Sequence, residues 1–485
     1  MDTKINNNKE LKLWEALIPV VALIGMLAFN VFIYGDASLG GSNQFVLLLG
    51  GAVAAIVGYF NKVSFHKMLD EVANNIKSTA GAILILLMVG ALAGTWMVSG
   101  IIPSMIYYGL QILSPAIFLP ATLIICSVIS IATGSSWTTS ATVGIALIGI
   151  GGALGFDLGM VAGAVISGAY FGDKLSPMSD TTNLAPAMAG TDLFTHIKYM
   201  TLTTIPTYII TLILFIILGL SIEVKGDVNT NELLTAITTS FNVSGWLFLV
   251  PVIVIGLIVK KTEPLVALLV GTLLAGIFAV IFQPQIINQI AGVETMDFKS
   301  AYKGVMDAIT SKVVVPTENK TLADLFTSGG MAKMLPTIWL ILCAMVFGGI
   351  MDAIGALARI SESLLKLAHT TFGLFASTVG SCLALNITAS DQYLAIVVPG
   401  KMFAKAYKDK GLAPENLSRT LEDTGTVTSV LVPWNTCGAY QAGTLGVSTL
   451  DYLPYAFFNI ISPFMTLIFA AFNIKIKQLV SSIKE

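Results

Sequence analysis

The chain has 485 residues, 55% of them apolar and only 11% charged, with a net charge of −2, and its mean hydropathy is +0.83. Ordinary soluble domains carry about 25% charged residues, so this composition excludes a soluble protein and leaves no room for a separate soluble domain. The balanced charge offers nothing to nucleic acid. The four cysteines (Cys126, Cys343, Cys382, Cys437) lie far apart in apolar surroundings without metal or disulfide spacing, and they read as packing residues.

In chain order, the N-terminal arm MDTKINNNKELKLW lacks a small-residue cleavage site and runs into a long apolar stretch. Trp14–Tyr34 therefore reads as a first transmembrane helix rather than a signal peptide. Further runs long enough for about 30 Å of hydrocarbon include Phe45–Phe60, Ala82–Val98, Ile205–Leu220, Trp246–Val259, Pro264–Phe282, Leu335–Ile354 and Tyr455–Ile474. The class is an all-α polytopic membrane protein.

The chain repeats itself. Trp14, Leu17, Pro19 and Val20 recur in register as Trp246, Leu249, Pro251 and Val252, and Leu47, Gly50 and Ala54 as Leu268, Gly271 and Ala275. Gly94, Gly100, Leu110, Thr133, Ser135 and Val143 then match Gly349, Gly355, Leu365, Thr388, Ser390 and Val398 at one constant offset. Residues 12–222 and 243–475 read as two copies of one unit, joined by the polar linker Ser221–Ser240. Positive charge places the N-terminal lysines (Lys4, Lys9, Lys12), the loop with Lys62, Lys67 and Lys77, Lys260–Lys261, the segment 401–419 and the C-terminal lysines on one, cytoplasmic, side. The linker and the mixed-charge loop 284–333 then face outside, and the copies have inverted topology.

Each copy carries two polar interruptions: Thr133–Thr142 and Gly168–Asp192 in the first, Asn386–Gln392 and Thr420–Gly438 in the second. Lipid supplies no partner for charge or freed backbone, so such segments must be buried in protein or line a water-filled cavity. Asp173 and Asp423 correspond at a slightly smaller offset, and Asp180 lies in the same polar interruption as Asp173. Carboxylates among hydroxyls and helix breaks are what a small hard cation requires, because their oxygens replace its hydration shell. A desolvated carboxylate also takes a proton once the cation leaves, which is the physical basis of antiport. The expected cation ligands are Asp173, Asp180 and Asp423. Thr133, Ser135, Ser176, Ser179, Thr181, Asn183, Thr388, Ser390, Thr424, Thr426 and Asn435 are the accompanying cation- and proton-binding groups.

Plainer roles compete with these. Hydroxyls in transmembrane helices mostly bond their own helix or a neighbour. Asp192 reads as the cap of the helix that carries His196 and Lys198. Lys174 is available to neutralise Asp173 or Asp180, Glu422 reads as near enough to the cytoplasm to be solvated, and His196 as a solvated surface histidine. Asp352 and Asp391 stand open between site and structure. No HExxH, paired histidine ligands or nucleophile elbow is present, so neither an enzyme nor a cofactor is expected. The asymmetric charged site is also unlike a ring-built channel filter.

The blocks GSSWTTSATVGIALIGIGGALG (134–155), GAVISGAYFGDKLSPMSDTTNLAPAMAGTDLFTHIKYM (163–200) and LSRTLEDTGTVTSVLVPWNTCGAY (417–440) resemble the NhaC-type Na+/H+ antiporter family. The resemblance extends through most of the chain. It implies exchange of Na+ for H+ across a bacterial inner membrane, with Na+ as the cation that Asp173, Asp180 and Asp423 are read above to bind and no cofactor beyond the transported ions. It also implies re-entrant hairpins paired with discontinuous helices, and a homodimer. The family includes members resembling malate/lactate exchangers coupled to Na+ and H+, so an organic-anion exchanger is the alternative; Lys174 and the Ser/Thr/Gly turns are the groups it would use.

Overall fold

A computed structural model describes residues 11–34, 40–221, 230–317, 323 and 326–479. Among them, eight helices are long and apolar enough to cross a membrane, and two bent pairs bring the possible spans to ten. The only strands described form a two-residue ladder, Val313–Val314 against Thr327–Ser328. Large apolar side chains such as Phe32, Phe60 and Phe472 stand exposed on the outer surface, the reverse of a soluble fold.

The apolar runs form helices, with three adjustments. Ala82–Val98 is the inner half of a 34-residue helix, Phe65–Val98, whose cap Ser64 accepts from the amide of Lys67. At 1.5 Å per residue this helix is roughly 50 Å long, so its polar first half extends beyond the hydrocarbon. Trp246–Val259 belongs to a bent pair, Asn231–Ser240 and Gly245–Val259, meeting at 82°. Tyr455–Ile474 is likewise cut, with Thr449–Tyr455 and Phe457–Ala471 meeting at 54°. Pro115–Thr133 and Thr371–Thr388 are further spans that lead straight into polar breaks. Linker residues 222–229 and the lysines at positions 4, 9 and 484 lie outside the described residues.

All four interruptions are real breaks, and each is shorter than its polar composition suggests. Helix Pro115–Thr133 stops at Gly134, whose φ of 70° is the left-handed value glycine tolerates. Ser135 then accepts from the amide of Thr138 to start Ser136–Thr139, and a π-helical turn, Ser140–Gly144, leads into Ile145–Ala153. In the second interruption helix Leu158–Leu175 runs on through Asp173 and Lys174. The chain leaves helical geometry only around 176–179, restarts as Asp180–Ala189 under the Ser179 cap, and stops at Gly190. Asp192 then caps the long helix Leu193–Ser221, accepting from the amide of Thr195 at 2.9 Å; those bonds hold its carboxyl below the ordinary value.

In the second half, helix Thr371–Thr388 breaks at Ser390, a non-glycine residue with φ of 60°, and Asp391 caps Gln392–Asp409. Helix Pro414–Leu421 passes into a π-helical turn, Glu422–Thr426, and the chain restarts as Thr436–Leu445 under the Asn435 cap. π-Helical turns add a residue to the ladder and re-aim side chains, and they recur at functional sites.

The most extensive interhelical contact joins Pro115–Thr133 to Leu158–Leu175. It depends on Gly168 and Gly172, one turn apart, where a β-carbon would strike the carbonyls of Leu123 and Ser127. This close approach carries Asp173 up against the start of Ser136–Thr139. All four cysteines are buried and unpaired, consistent with packing.

Candidate functional site

Two polar sites sit back to back on helix Leu158–Leu175. Consecutive helical residues point about 100° apart, so Asp173 and Lys174 face different surroundings. Asp173 Oδ2 accepts from the backbone amide of Ser136 at 3.1 Å and from its hydroxyl at 2.7 Å. The carboxylate borders an open cavity of about 530 Å³ shared with Thr133, Ser135, Ser136, Thr138, Ser179, Thr181, Gln392 and Tyr393. Lys261 and Glu263, on the loop before Pro264–Phe282, lie along the same cavity. Asp180, the first residue of its helix, and Asn183 also line it, and both are exposed.

Lys174 points the other way, is fully buried, and pairs with Oδ1 of the equally buried Asp423. Asp423 Oδ2 accepts from Thr203 at 2.8 Å and also from Thr466, and Lys174 donates to Ser462 at 3.3 Å. Four separated segments thus meet on one carboxylate. This corrects two expectations. Lys174 neutralises Asp423, not Asp173 or Asp180, and the three carboxylates do not form one ligand set. Among the described residues no group of three or more His, Cys, Asp or Glu side chains is placed to hold a metal ion. Residues related by a sequence repeat need not meet: Asp423 lies on a π-turn that directs it into the interior, whereas Asp173 faces the cavity.

The hydroxyl groups divide. Thr388 bonds its own helix at Ala384, and Asn183 bonds the carbonyls of Pro177 and Ser179 across the break. Ser176 accepts from the amide of Met178, and Asn435 from that of Cys437. Asn435 also donates to Asn386, which donates to Gly425, so these side chains knit the second-half breaks together. These side chains hold the helix breaks together, and Asn183 also lines the cavity. Thr133 contacts Thr139 at 3.4 Å and borders the cavity, as does Ser135. Ser390, Thr424 and Thr426 are buried with hydroxyls that have no hydrogen-bond partner.

Two plainer expectations are overturned, and one open position is resolved. Glu422 is fully buried rather than solvated; its Oε1 accepts from Thr181 at 3.0 Å, and its Oε2 has no hydrogen-bond partner. His196 is buried, not on the surface, with Nδ1 2.8 Å from the hydroxyl of Ser418. Asp391 acts as a helix cap, accepting from Leu394 at 3.0 Å. Asp352 is half-buried on helix Leu335–Ala353, near Glu71 and Lys67, away from both sites. Sequence reading missed Ser136, Thr203, Ser462 and Thr466. The last two did carry a signal: Ser462 and Thr466 share one face, at i, i+4 spacing, of a helix whose remaining polar residue is Asn459.

Residues 168–474 match the profile of the Na+/H+ antiporter family. The Na(+)/H(+) antiporter NhaC of Alkalihalophilus pseudofirmus is 38% identical over 425 residues, covering 87% of this chain and 88% of that protein. NhaC of Bacillus subtilis is 37% identical over 82% of this chain and 85% of its own length. The malate-2H(+)/Na(+)-lactate antiporter of Bacillus subtilis is 36% identical over 94% of each. With this identity sustained over most of its length, the chain belongs to the Na+/H+ antiporter family.

Proposed function

We propose that this membrane carrier, which is not an enzyme, exchanges Na+ for H+, and that Asp173 is the carboxylate that meets the cation. One observation carries the reading: Asp173 is held by Ser136 at the edge of a hydroxyl-lined cavity, so a hydrated cation can approach and exchange water for carboxylate and hydroxyl oxygens. Asp180 serves at the cavity's exposed side as an attracting charge, and Asp423 serves inside as the partner of Lys174.

The organic-anion reading, prompted by the malate/lactate relative, needs a free cation to meet a carboxylate. Lys174 is engaged by Asp423, and the cavity carries three carboxylates, Asp173, Asp180 and Glu263, against the single lysine Lys261, a balance that favours the inorganic cation. Two inverted copies, 12–222 and 243–475, frame the site in this reading. Gly100 and Gly355 support it, since each takes the left-handed conformation just before a short helix. So do Thr133 and Thr388, each the last residue of a helix that ends at a polar break. Lys261 on the cavity rim and the other lysine-rich loops support a reading in which the cavity mouth and both termini face the cytoplasm. A homodimer is included on the family resemblance. Everted vesicles test the function: a Na+ pulse should dissipate an imposed pH gradient with or without malate and lactate. Exchange that appears only with the organic anions would replace this reading with the alternative.

A further inference from the structure

We propose that Glu422 carries the exchanged proton, separately from the cation carboxylate Asp173. The inference rests on the Na+/H+ exchange reading above. Glu422 is fully buried on the π-helical turn Glu422–Thr426, with Oε1 accepting from Thr181 and Oε2 making no hydrogen bond of good geometry, the Thr426 hydroxyl being its polar neighbour on the same turn. The lysine within its electrostatic reach, Lys174, is already bound to Asp423. A lone carboxylate charge in that position is costly unless it is paired, so in this cavity-open state the site is built to hold the neutral acid.

A route for the proton is in place. Thr181 Oγ1 lies 3.0 Å from Glu422 Oε1 and 3.2 Å from Ser179 Oγ, and both hydroxyls border the cavity. A proton leaves Glu422 once the carboxyl turns so that its O–H donates to Thr181; the Thr181 hydrogen then turns to Ser179 and that of Ser179 to cavity water, each oxygen giving up one proton as it takes another. Asp173 lies within electrostatic reach of Glu422. A cation on Asp173 therefore repels the proton on Glu422, and the proton disfavours the cation by the same amount, because coupling between sites is reciprocal. The other titratable groups facing this segment are Asp423 and Arg419 on its own stretch, Asp180, His196 beside Ser418, Cys382 beside Gly425, and Tyr407 beside Thr420. Helix Phe457–Ala471 contributes no titratable side chain. Asp423 is paired, and the remaining groups do not contact the carboxyl of Glu422.

The test uses the full chain in proteoliposomes, reading Na+-driven proton movement and 22Na+ counterflow side by side. Glu422→Gln should lower proton movement at least tenfold relative to counterflow, and Glu422→Asp should restore it with a displaced pH profile. The apparent Na+ requirement of the wild type should rise towards the limit of roughly tenfold per pH unit for one competing proton, and that slope should flatten in Glu422→Gln. If Glu422→Gln does not insert, Thr181→Val decides: the ratio of proton movement to counterflow should fall. Wild-type proton movement and pH slope in Glu422→Gln, or an unchanged ratio in Thr181→Val, would overturn the proposal. Absence of exchange in the wild type would instead defeat the underlying function.

Discussion

Lys174 and Asp423, 249 residues apart in sequence, form a fully buried ion pair. It joins helix Leu158–Leu175 to the π-turn Glu422–Thr426, with Thr203 and Thr466 taking the second carboxylate oxygen. The two halves of the molecule are thus coupled through one charge pair next to the cavity.

Removing one partner of such a pair leaves an uncompensated buried charge and costs about 3–5 kcal/mol, while replacing both by apolar residues of similar volume is near neutral. Asp423→Asn and Lys174→Met should each lower thermal stability in detergent, and Lys174→Met with Asp423→Leu should recover most of it. Additive losses in the double variant would show that the pair is not coupled as described.

Asp173→Asn keeps the shape that accepts from Ser136 but removes the charge. It should abolish Na+-driven proton movement in vesicles while changing stability by no more than about 1 kcal/mol. Full exchange by this variant would remove Asp173 from the cation site.

Topology is open to cysteine labelling, because the four native cysteines are buried. An impermeant thiol reagent in intact cells should tag a cysteine at position 232 and leave one at 409 unreacted. Position 183, exposed at the cavity, should share the reactivity of 409. The reverse pattern would reject the proposed orientation and the inverted copies with it.

If Na+ and H+ exclude one another, lowering the pH from 9 to 6 should raise the apparent Na+ requirement with little loss of maximal rate at saturating Na+. A maximal rate that changes at constant apparent affinity would point to a separate sensor. His196, the histidine nearest the ion pair in sequence, is buried against Ser418, so its replacement by Gln should leave the profile in place.

Membrane class, most spans and the location of the polar breaks follow from the sequence alone, because hydrocarbon penalises any unpaired charge or freed backbone group so heavily that composition by itself sorts lipid-facing from protein-facing segments. Capping by Asp192 was legible for a related reason: the cap bond closes within three residues. What Asp423, Glu422 and His196 do was decided by tertiary structure. A 100° step separates Asp173 from Lys174, a π-turn re-aims the residues after Leu421, and Gly168 and Gly172 set how closely two helices approach. Which side chain meets which depends on those angles and distances between remote helices, and the local pattern of residues does not encode them.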